Sequence, residues 1–289
     1  MRSFAPGRVN LIGDHTDYAG GLVLPMAVDL GTTVIGERGG EGIVLSSEHA
    51  DEQFQRFVDA VAAEVQPSFG FTGHVTSTLP VGAGLSSSAS LEVAIALALG
   101  ATGDVAALCQ RAEHRATGVP CGRMDQLASV HGIAGHALLI DCSTFAITPV
   151  RIPDDVDIVV VHSGQERTLA GSEYADRRAQ LEAGDERRVR HVRTENERVR
   201  AFADALTTHD LGRAGALMVE SHASLRDDFE VSTPVLDALV DRLVATPGVH
   251  GARLTGAGFG GCVVALTDPD ALSEGWHLRP AAGAWVSST

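Results

Sequence analysis

The feature that most constrains the fold of this chain is a short apolar segment, residues 91–99, which follows a glycine- and serine-rich run, residues 80–90. The segment has helical length and is apolar on nearly every face. A helix on the protein surface presents a polar face to water, so this one should be central and buried. The other elements are therefore expected to pack around it.

The rest of the chain shows both strand and helix periodicity, which predicts a mixed α and β fold. The predicted strands cover residues 9–12, 22–29, 32–37, 42–47, 70–79, 136–142 and 158–162. The predicted helices, besides 91–99, cover residues 50–65, 105–116, 122–130, 211–221 and 234–245. A proline and charge cluster at residues 149–157 is interpreted as the crossover between two halves.

The charged residues limit the possible chemistry. All 22 basic residues among the 289 are arginine, and the net charge is -15. Without lysine, Schiff bases, lysine-activated nucleophiles and a P-loop are excluded. Any phosphate site must use arginine, backbone N–H groups, helix N-termini or a metal ion. The acidity disfavours nucleic acid as a partner. The arginine-rich run 186–200 could still be a nucleic-acid patch, but a solvated helix face with i,i+4 ion pairs is the preferred interpretation.

The cysteines and the hydropathy favour a reducing, aqueous setting. Cys109, Cys121, Cys142 and Cys262 are widely spaced in apolar surroundings, which favours buried free thiols over disulfides or zinc ligands. No run of about 18 apolar residues occurs, and the N-terminus has no signal-peptide pattern. A cytoplasmic location without membrane contact is expected.

Two glycine-rich segments suggest backbone close to a ligand. In residues 80–90, glycines and serines meet the start of the buried helix, which suits an anion. A strand-to-helix turn with serine caps explains the same residues equally well. Residues 255–261 contain four glycines but precede an apolar strand, so a dinucleotide fingerprint is rejected and a tight turn remains possible.

Two further segments carry candidate polar groups. In residues 7–18, Asp14 and Asp17 could accept hydrogen bonds from a polyhydroxylated ligand, or the segment could be a solvated turn. Near Gly122, Asp125 could orient or deprotonate a hydroxyl, and Glu113 with a serine hydroxyl could hold Mg²⁺. Either acid could instead be an ordinary surface residue.

Together these segments resemble the signature motifs of the GHMP small-molecule kinases, and within them the galactokinase family. Residues 7–18 with Gly20 and Gly21 resemble the galactokinase signature, residues 80–90 the ATP-binding motif and residues 254–262 the third motif. The similarity continues, in the expected order, through residues 113–125, 136–142, 172–178 and 218–232.

The resemblance implies an α+β, two-lobed fold with the active site in the cleft. A ribosomal-protein-like α/β lobe would cover residues 1–152, with the sugar and ATP motifs and the catalytic aspartate. A ferredoxin-like lobe would cover residues 153–289, with the third motif. The implied activity is ATP- and Mg²⁺-dependent phosphorylation of the anomeric hydroxyl of D-galactose to galactose 1-phosphate, by a monomer.

The resemblance also implies roles for individual residues. Asp125 would be the general base or orient the hydroxyl, with Arg8 stabilising charge on the transferred phosphate. The sugar would be bound by Asp14, His15, Asp17, Gly122 and Tyr174. The ATP phosphates would bind at Gly82, Ala83, Gly84, Leu85, Ser86, Ser87 and Ser88. Ser88 and Glu113 would hold Mg²⁺. Phe54 and Phe57 would stack on adenine, although both also fit the apolar stripe of the helix over 50–65.

Departures from the family pattern leave alternatives open. Asp14 stands where galactokinases usually carry Glu, which makes another sugar, such as N-acetylgalactosamine or arabinose, credible. A catalytically silent sugar sensor is the other alternative. The chain also looks trimmed before Ser46, between Arg178 and Glu186 and at the C-terminus, and the chemistry is expected to be retained.

Overall fold

The structure, a computed structural model, describes residues 1–48, 50–80, 82–165 and 170–288. Val81 of the glycine- and serine-rich run lies outside the described residues. The strands are β1 (Arg2–Asn10), β2 (Leu22–Val23), β3 (Pro25–Arg38), β4 (Ile43–Ser47), β5 (Phe71–Ser77), β6 (His136–Asp141), β7 (Ala146–Arg151), β8 (Asp157–His162), β9 (Val249–Thr255), β10 (Cys262–Thr267), β11 (Trp276–Leu278) and β12 (Trp285–Ser287). The α-helices are α1 (Glu52–Val65), α2 (Ser87–Ala98), α3 (Val105–Thr117), α4 (Met124–His131), α5 (Ala170–Glu182), α6 (Glu186–Thr207), α7 (Leu211–Asp227) and α8 (Pro234–Val244).

The predicted central helix is α2, and its burial is confirmed. It packs on β1 and β3 and contacts α1, α3 and α4. Val93, Ala94 and Ile95 are fully buried, as an apolar helix with no polar face requires. The helix begins at Ser87, earlier than the predicted residue 91, so part of the serine run forms its first turn rather than a loop.

The first sheet has the strand order β12-β1-β3-β5-β4 and is antiparallel except for the β4–β5 pair. Two predicted strands, 22–29 and 32–37, are wrong in their boundaries, because β3 runs through both. Gly31 does not break this strand. A Cβ at Gly31 would lie 2.3 Å from the Ala5 carbonyl oxygen, so glycine allows β1 to approach closely.

The second sheet has the order β11-β8-β10-β9 and is antiparallel, with α7 and α8 against it. A third, three-stranded sheet has the order β2-β6-β7. Strand β7 was not predicted, because Pro149 was interpreted as part of a crossover. Pro149 lies in an edge strand opposite Leu138, where a missing N–H is tolerated.

The two halves of the chain are tied together. β12 returns from the C-terminus to pair with β1. A single apolar core contains Val9 of the first sheet, Val160 and Val264 of the second, and Phe202 of α6. The predicted mixed helix-and-sheet architecture is confirmed, whereas the lobe boundary at residues 152 and 153 stays a prediction.

Helix α6 contains the arginine-rich run. Most of its charged residues are exposed, as predicted, but the predicted i,i+4 pairs are wrong, because the arginines pair mainly with acids outside the helix. Arg188 is 1 % exposed, and its Nη2 lies 2.5 Å from Glu230 Oε2. Arg187 also pairs with Glu230, and Arg190 pairs with Asp228. These arginines therefore bind acids in the segment after α7, which leaves them poorly suited to nucleic acid.

Two further features of the described residues concern the cysteines and the helices. The four cysteines are free thiols, with Cys109, Cys142 and Cys262 buried and Cys121 partly so. None of the helices in the described ranges combines the length and the apolar character needed to cross a membrane.

Candidate active site

The glycine- and serine-rich run borders a cavity of about 810 Å³ at the start of α2. Gly82, Gly84 and Ser86 have φ values of 76°, 68° and 57°, which turn the chain sharply before the helix. The run thus presents the helix N-terminus to the cavity, an arrangement that suits an anion. Ala83 is fully buried and does not line the cavity, unlike the rest of the predicted set, Gly82, Gly84, Leu85, Ser86, Ser87 and Ser88.

Arg8 of β1 and Asp125 of α4 form a bidentate ion pair. Arg8 Nε lies 2.7 Å from Asp125 Oδ1, and Nη2 lies 2.7 Å from Oδ2. Ser86 Oγ donates to the same Oδ2 at 2.5 Å. Burial would lower the pKa of Arg8, but the Asp125 carboxylate outweighs it and the pKa is raised. The arginine stays charged, and the three donors fix the orientation of the carboxylate.

Ser88 and Glu113 meet beside this cavity. Ser88 Oγ donates to Glu113 Oε1 at 2.8 Å, and Gln126 Nε2 donates to Oε2 at 2.6 Å. Neighbouring oxygen ligands of an octahedral Mg²⁺ are roughly 2.9 Å apart, so these two oxygens fit the ion. The described residues contain no cluster of three or more His, Cys, Asp or Glu side chains arranged to hold a metal.

Gln126 and Glu92 support Glu113 and were not predicted. Gln126 Nε2 also donates to Glu92 Oε2 at 3.2 Å. Burial, together with the Glu113 charge, raises the pKa of Glu92 to about 10, so Glu92 is protonated at neutral pH. A weak signal for this pair is present in the sequence, since Glu92 is the one acid in the apolar segment 91–99.

A second cavity, of about 330 Å³, lies on the other side of the Arg8–Asp125 pair. All five predicted sugar-binding residues line it: Asp14, His15, Asp17, Gly122 and Tyr174. Burial and the Asp125 and Asp14 carboxylates raise the pKa of Asp17 to about 7. A Cβ at Gly122 would lie 1.7 Å from Asp17 Oδ2, so the position has no room for a side chain.

Asp14 is 3 % exposed and its carboxylate is already engaged. Oδ2 lies 2.6 Å from Nη1 of Arg253, which is itself fully buried, and Oδ1 accepts from the Gly256 N–H at 3.0 Å. The galactokinase-like segment, residues 7–18, is thus bonded to the glycine-rich segment that follows Arg253. Arg253 was missed, although a lone arginine in an apolar strand is a recognisable sign of a buried ion pair.

His15 is buried and held from several sides. Its Nδ1 lies 2.9 Å from the Tyr18 hydroxyl and its Nε2 3.1 Å from the Ala257 carbonyl oxygen. Because a carbonyl oxygen only accepts, the neutral ring carries its proton on Nε2 and accepts from Tyr18. The ring also packs against Tyr174 and Phe229, with centroid distances of 5.6 and 4.7 Å.

Helix α6 anchors the loop that carries Asp14 and Asp17, which sequence reasoning did not anticipate. Glu195 is fully buried and accepts from the Gly13 N–H at 3.1 Å and from Ser221 Oγ at 2.5 Å. His191 Nε2 lies 3.1 Å from the Asp14 carbonyl oxygen. Burial lowers the pKa of His191, so the ring is neutral and Nε2 donates.

A third cavity, of about 470 Å³, contains both predicted aromatic residues of α1. Phe54 is 9 % exposed and Phe57 4 %, so both lie on the buried face of α1. Both also border the cavity. Gly82, Ser87 and Ser88 line this cavity as well as the one at the start of α2. The three cavities therefore form a continuous cleft, with the Arg8–Asp125 pair between the second cavity and the other two.

The fold and this cleft define a GHMP small-molecule kinase. The family models "GHMP kinases N terminal domain" and "GHMP kinases C terminal" match residues 52–133 and 202–277. A third model, "Galactokinase galactose-binding signature", matches residues 1–38, which contain Arg8, Asp14, His15 and Asp17.

The chain belongs to the galactokinase family. It is 43 % identical to the galactokinase of Canis lupus familiaris, over 93 % of this chain and 84 % of the relative. It is 41 % identical to the galactokinase of Chloroflexus aggregans, over 93 % and 84 %. The structure of Lactococcus lactis galactokinase complexed with galactose superposes with a TM-score of 0.90 at 29 % identity, over 98 % of this chain and 94 % of that one.

Proposed function

We propose that the protein transfers the γ-phosphate of ATP to the anomeric hydroxyl of D-galactose, giving galactose 1-phosphate and ADP. The observation that carries the proposal is the position of the Arg8–Asp125 pair, which lines both the cavity at the start of α2 and the cavity around Asp17. A hydroxyl in one and a phosphate in the other would meet at this pair. The choice of galactose rests on the matched galactose-binding signature and on the galactose-bound relative.

ATP is the proposed donor because the two remaining cavities suit its two parts. The cavity at the start of α2 offers backbone N–H groups, hydroxyls and the helix N-terminus to the phosphates. The cavity with Phe54 and Phe57 offers aromatic faces to adenine. Their shared wall at Gly82, Ser87 and Ser88 makes them one elongated site.

Mg²⁺ is the proposed cofactor, and Ser88 with Glu113 would hold it. When bound with ATP, the ion would neutralise charge on the β- and γ-phosphates. Gln126 keeps Glu113 Oε1 turned towards Ser88 by holding the other carboxylate oxygen.

The chain's own residues perform the transfer mainly by positioning. Asp125 accepts the hydrogen bond of the anomeric hydroxyl and takes its proton as the new O–P bond forms. Arg8 holds the carboxylate in position and stabilises the negative charge on the phosphoryl oxygens. His15, Asp17, Gly122 and Tyr174 hold the sugar so that this hydroxyl, rather than another, meets Asp125.

The test is a sugar panel with ATP and Mg²⁺, with the products identified by ³¹P and ¹H NMR. We expect D-galactose to give the highest kcat/KM and an α-phosphate at C1. Asp125→Ala should lower kcat by about 10³-fold with the protein still folded. A folded protein that makes no sugar phosphate would overturn the proposal, and full turnover by Asp125→Ala would overturn the role of Asp125.

A second candidate is a kinase for a related sugar, such as N-acetylgalactosamine or arabinose. The observation that favours it is the engagement of Asp14 with Arg253 and Gly256, which leaves its shorter carboxylate less free for a sugar hydroxyl. The same sugar panel distinguishes the two candidates, because the second candidate requires one of these sugars to exceed galactose in kcat/KM.

A catalytically silent sugar sensor is not favoured, since Arg8, Asp125, Ser88 and Glu113 lie together. We also propose that the protein acts as a monomer.

A further inference from the structure

His162 is the last residue of β8 and lines the cavity at the start of α2. It is half-buried and belongs to the second sheet, whereas the glycine- and serine-rich run belongs to the first half of the chain. The sequence motifs gave no role to this residue.

The backbone fixes the orientation of the His162 ring. The Gly164 N–H donates to Nδ1 at 3.0 Å, so Nδ1 is an acceptor and the proton of the neutral ring lies on Nε2. A Cβ built on Gly82 would lie 3.9 Å from Nε2. Nε2 of the ring therefore lies close to the first glycine of the run, at the border of the cavity.

Several of the side-chain donors in this cavity are already engaged, and the chain has no lysine. Among the described residues that line it, Arg8 donates to both oxygens of Asp125 and, through Nη1, to the Gly84 carbonyl oxygen. Ser86 donates to Asp125 and Ser88 to Glu113. Ser87, Trp276 and His162 also line the cavity, and His162 Nε2 is a donor that is not committed to Asp125 or Glu113.

The position of His162 along the cleft indicates which phosphates it would meet. Gly82 also lines the cavity of Phe54 and Phe57, whereas Arg8 and Asp125 also line the cavity around Asp17. His162 therefore lies at the end nearer the proposed adenine site, away from the transfer point.

We propose that His162 Nε2 donates a hydrogen bond to the phosphates that remain on ADP, so that the second half of the chain binds the nucleotide. This inference rests on the proposed function, since it assumes that the cavity holds ATP. It makes His162 a nucleotide-binding residue with no part in sugar binding or proton transfer.

The experiment compares His162→Ala, His162→Asn and His162→Gln with the parent protein. An Asn side chain can keep the polar group near the position of Nδ1, whereas Gln can return an N–H near the position of Nε2. ADP and ATP affinities are measured by calorimetry, and kcat and KM by coupled assay. His209→Ala is the control, because His209 is exposed and pairs with Asp155.

We expect Ala and Asn to weaken ADP and ATP binding alike, by about tenfold, with the KM for galactose unchanged. Gln and the control should stay within about twofold of the parent in these affinities. Unchanged ADP affinity in Ala and Asn would overturn the inference, whether or not kcat falls. A parent protein that binds ADP but does not phosphorylate a sugar would overturn the proposed function alone, and one that binds no ADP would overturn both.

Discussion

At the scale of single residues, the sugar side of the cleft depends on two carboxylates in different environments. Asp14 forms an ion pair with Arg253, and both side chains are buried. Among the described residues, no arginine forms an ion pair with Asp17, and burial together with the Asp125 and Asp14 carboxylates raises its pKa. Asp14 therefore links the first motif to the third, whereas Asp17 remains available to a ligand in the cavity.

Replacing Asp14 should destabilise the protein. In Asp14→Asn the Arg253 guanidinium stays buried without its closest counter-charge, which costs about 3 kcal/mol in the free energy of unfolding. The measurement is denaturant unfolding. Glu274→Gln is the control, because its pair with Arg242 is exposed and should contribute less than about 1 kcal/mol. Equal losses in the two variants would contradict the prediction.

Replacing Asp17 should stabilise the protein, in contrast to replacing Asp14, and the gain should appear only at higher pH. The pKa of Asp17 is about 7 in the folded protein and near 3.8 when unfolded, so its contribution to stability is lost as pH rises from about 4 to about 7. Asp17→Asn removes this penalty. We expect Tm to rise by roughly 2–4 °C at pH 8 and the gain to shrink towards pH 5.

The same substitution should weaken galactose binding, because a carboxylate accepts stronger hydrogen bonds than an amide. Asp204→Asn is the control for the pH series, since Asp204 lies on the exposed side of α6. A Tm gain for Asp17→Asn that does not vary with pH would show that the buried charge is not its cause.

At the scale of elements, α6 connects the ligand-binding loop to the second half of the chain. Its buried face carries His191 and Glu195, which hold the backbone of the loop at Asp14 and Gly13. Arg187 and Arg190, near the start of the helix, bind acids in the segment after α7. The helix thus joins loops through charged and polar side chains on one face and is exposed to water on the other.

Removing the buried acid of α6 should therefore loosen the loop. Glu195→Ala leaves Arg198 and the Gly13 N–H without their acceptor, so we expect a loss of about 3 kcal/mol in stability. We also expect at least a tenfold rise in the KM for galactose, with ADP affinity unchanged. Calorimetry and steady-state kinetics measure these effects.

Glu197→Ala is the matched control on the same helix, because Glu197 is exposed. It should change stability by less than about 0.5 kcal/mol and leave the KM for galactose unchanged. A Glu195 variant that behaves like the Glu197 variant would show that α6 does not position the loop.

At the scale of the whole molecule, the two proposed lobes share one large apolar cluster and are joined by β12. Val9, Val160, Val264 and Phe202 belong to the same apolar cluster although they come from both sides of residue 152. We therefore expect a single cooperative unfolding transition, with calorimetric and van't Hoff enthalpies that agree. We also expect that residues 1–152 do not fold alone. Two separate transitions would contradict the prediction.

Much of the site could be predicted because its motifs are local. The turn before α2, Arg8, and the loop from Asp14 to Asp17 each lie in a short segment whose residue types suit one chemistry. The element boundaries were harder to predict. Gly31 continues a strand that a glycine often ends, and Pro149 lies in an edge strand, because in both cases the neighbouring strand decides what the backbone can do.

The sequence by itself determined that this protein has a buried central helix, a lysine-free glycine- and serine-rich run and the loop of a galactokinase signature. Those features are set by residue type and spacing within a few turns of chain. Only the tertiary structure decided that Asp14 bonds to Arg253, that α6 buries Glu195 and that His162 lies close to Gly82. These contacts join residues that are far apart in the sequence. Their energies depend on how deeply the residues are buried, and a local sequence pattern does not contain that information.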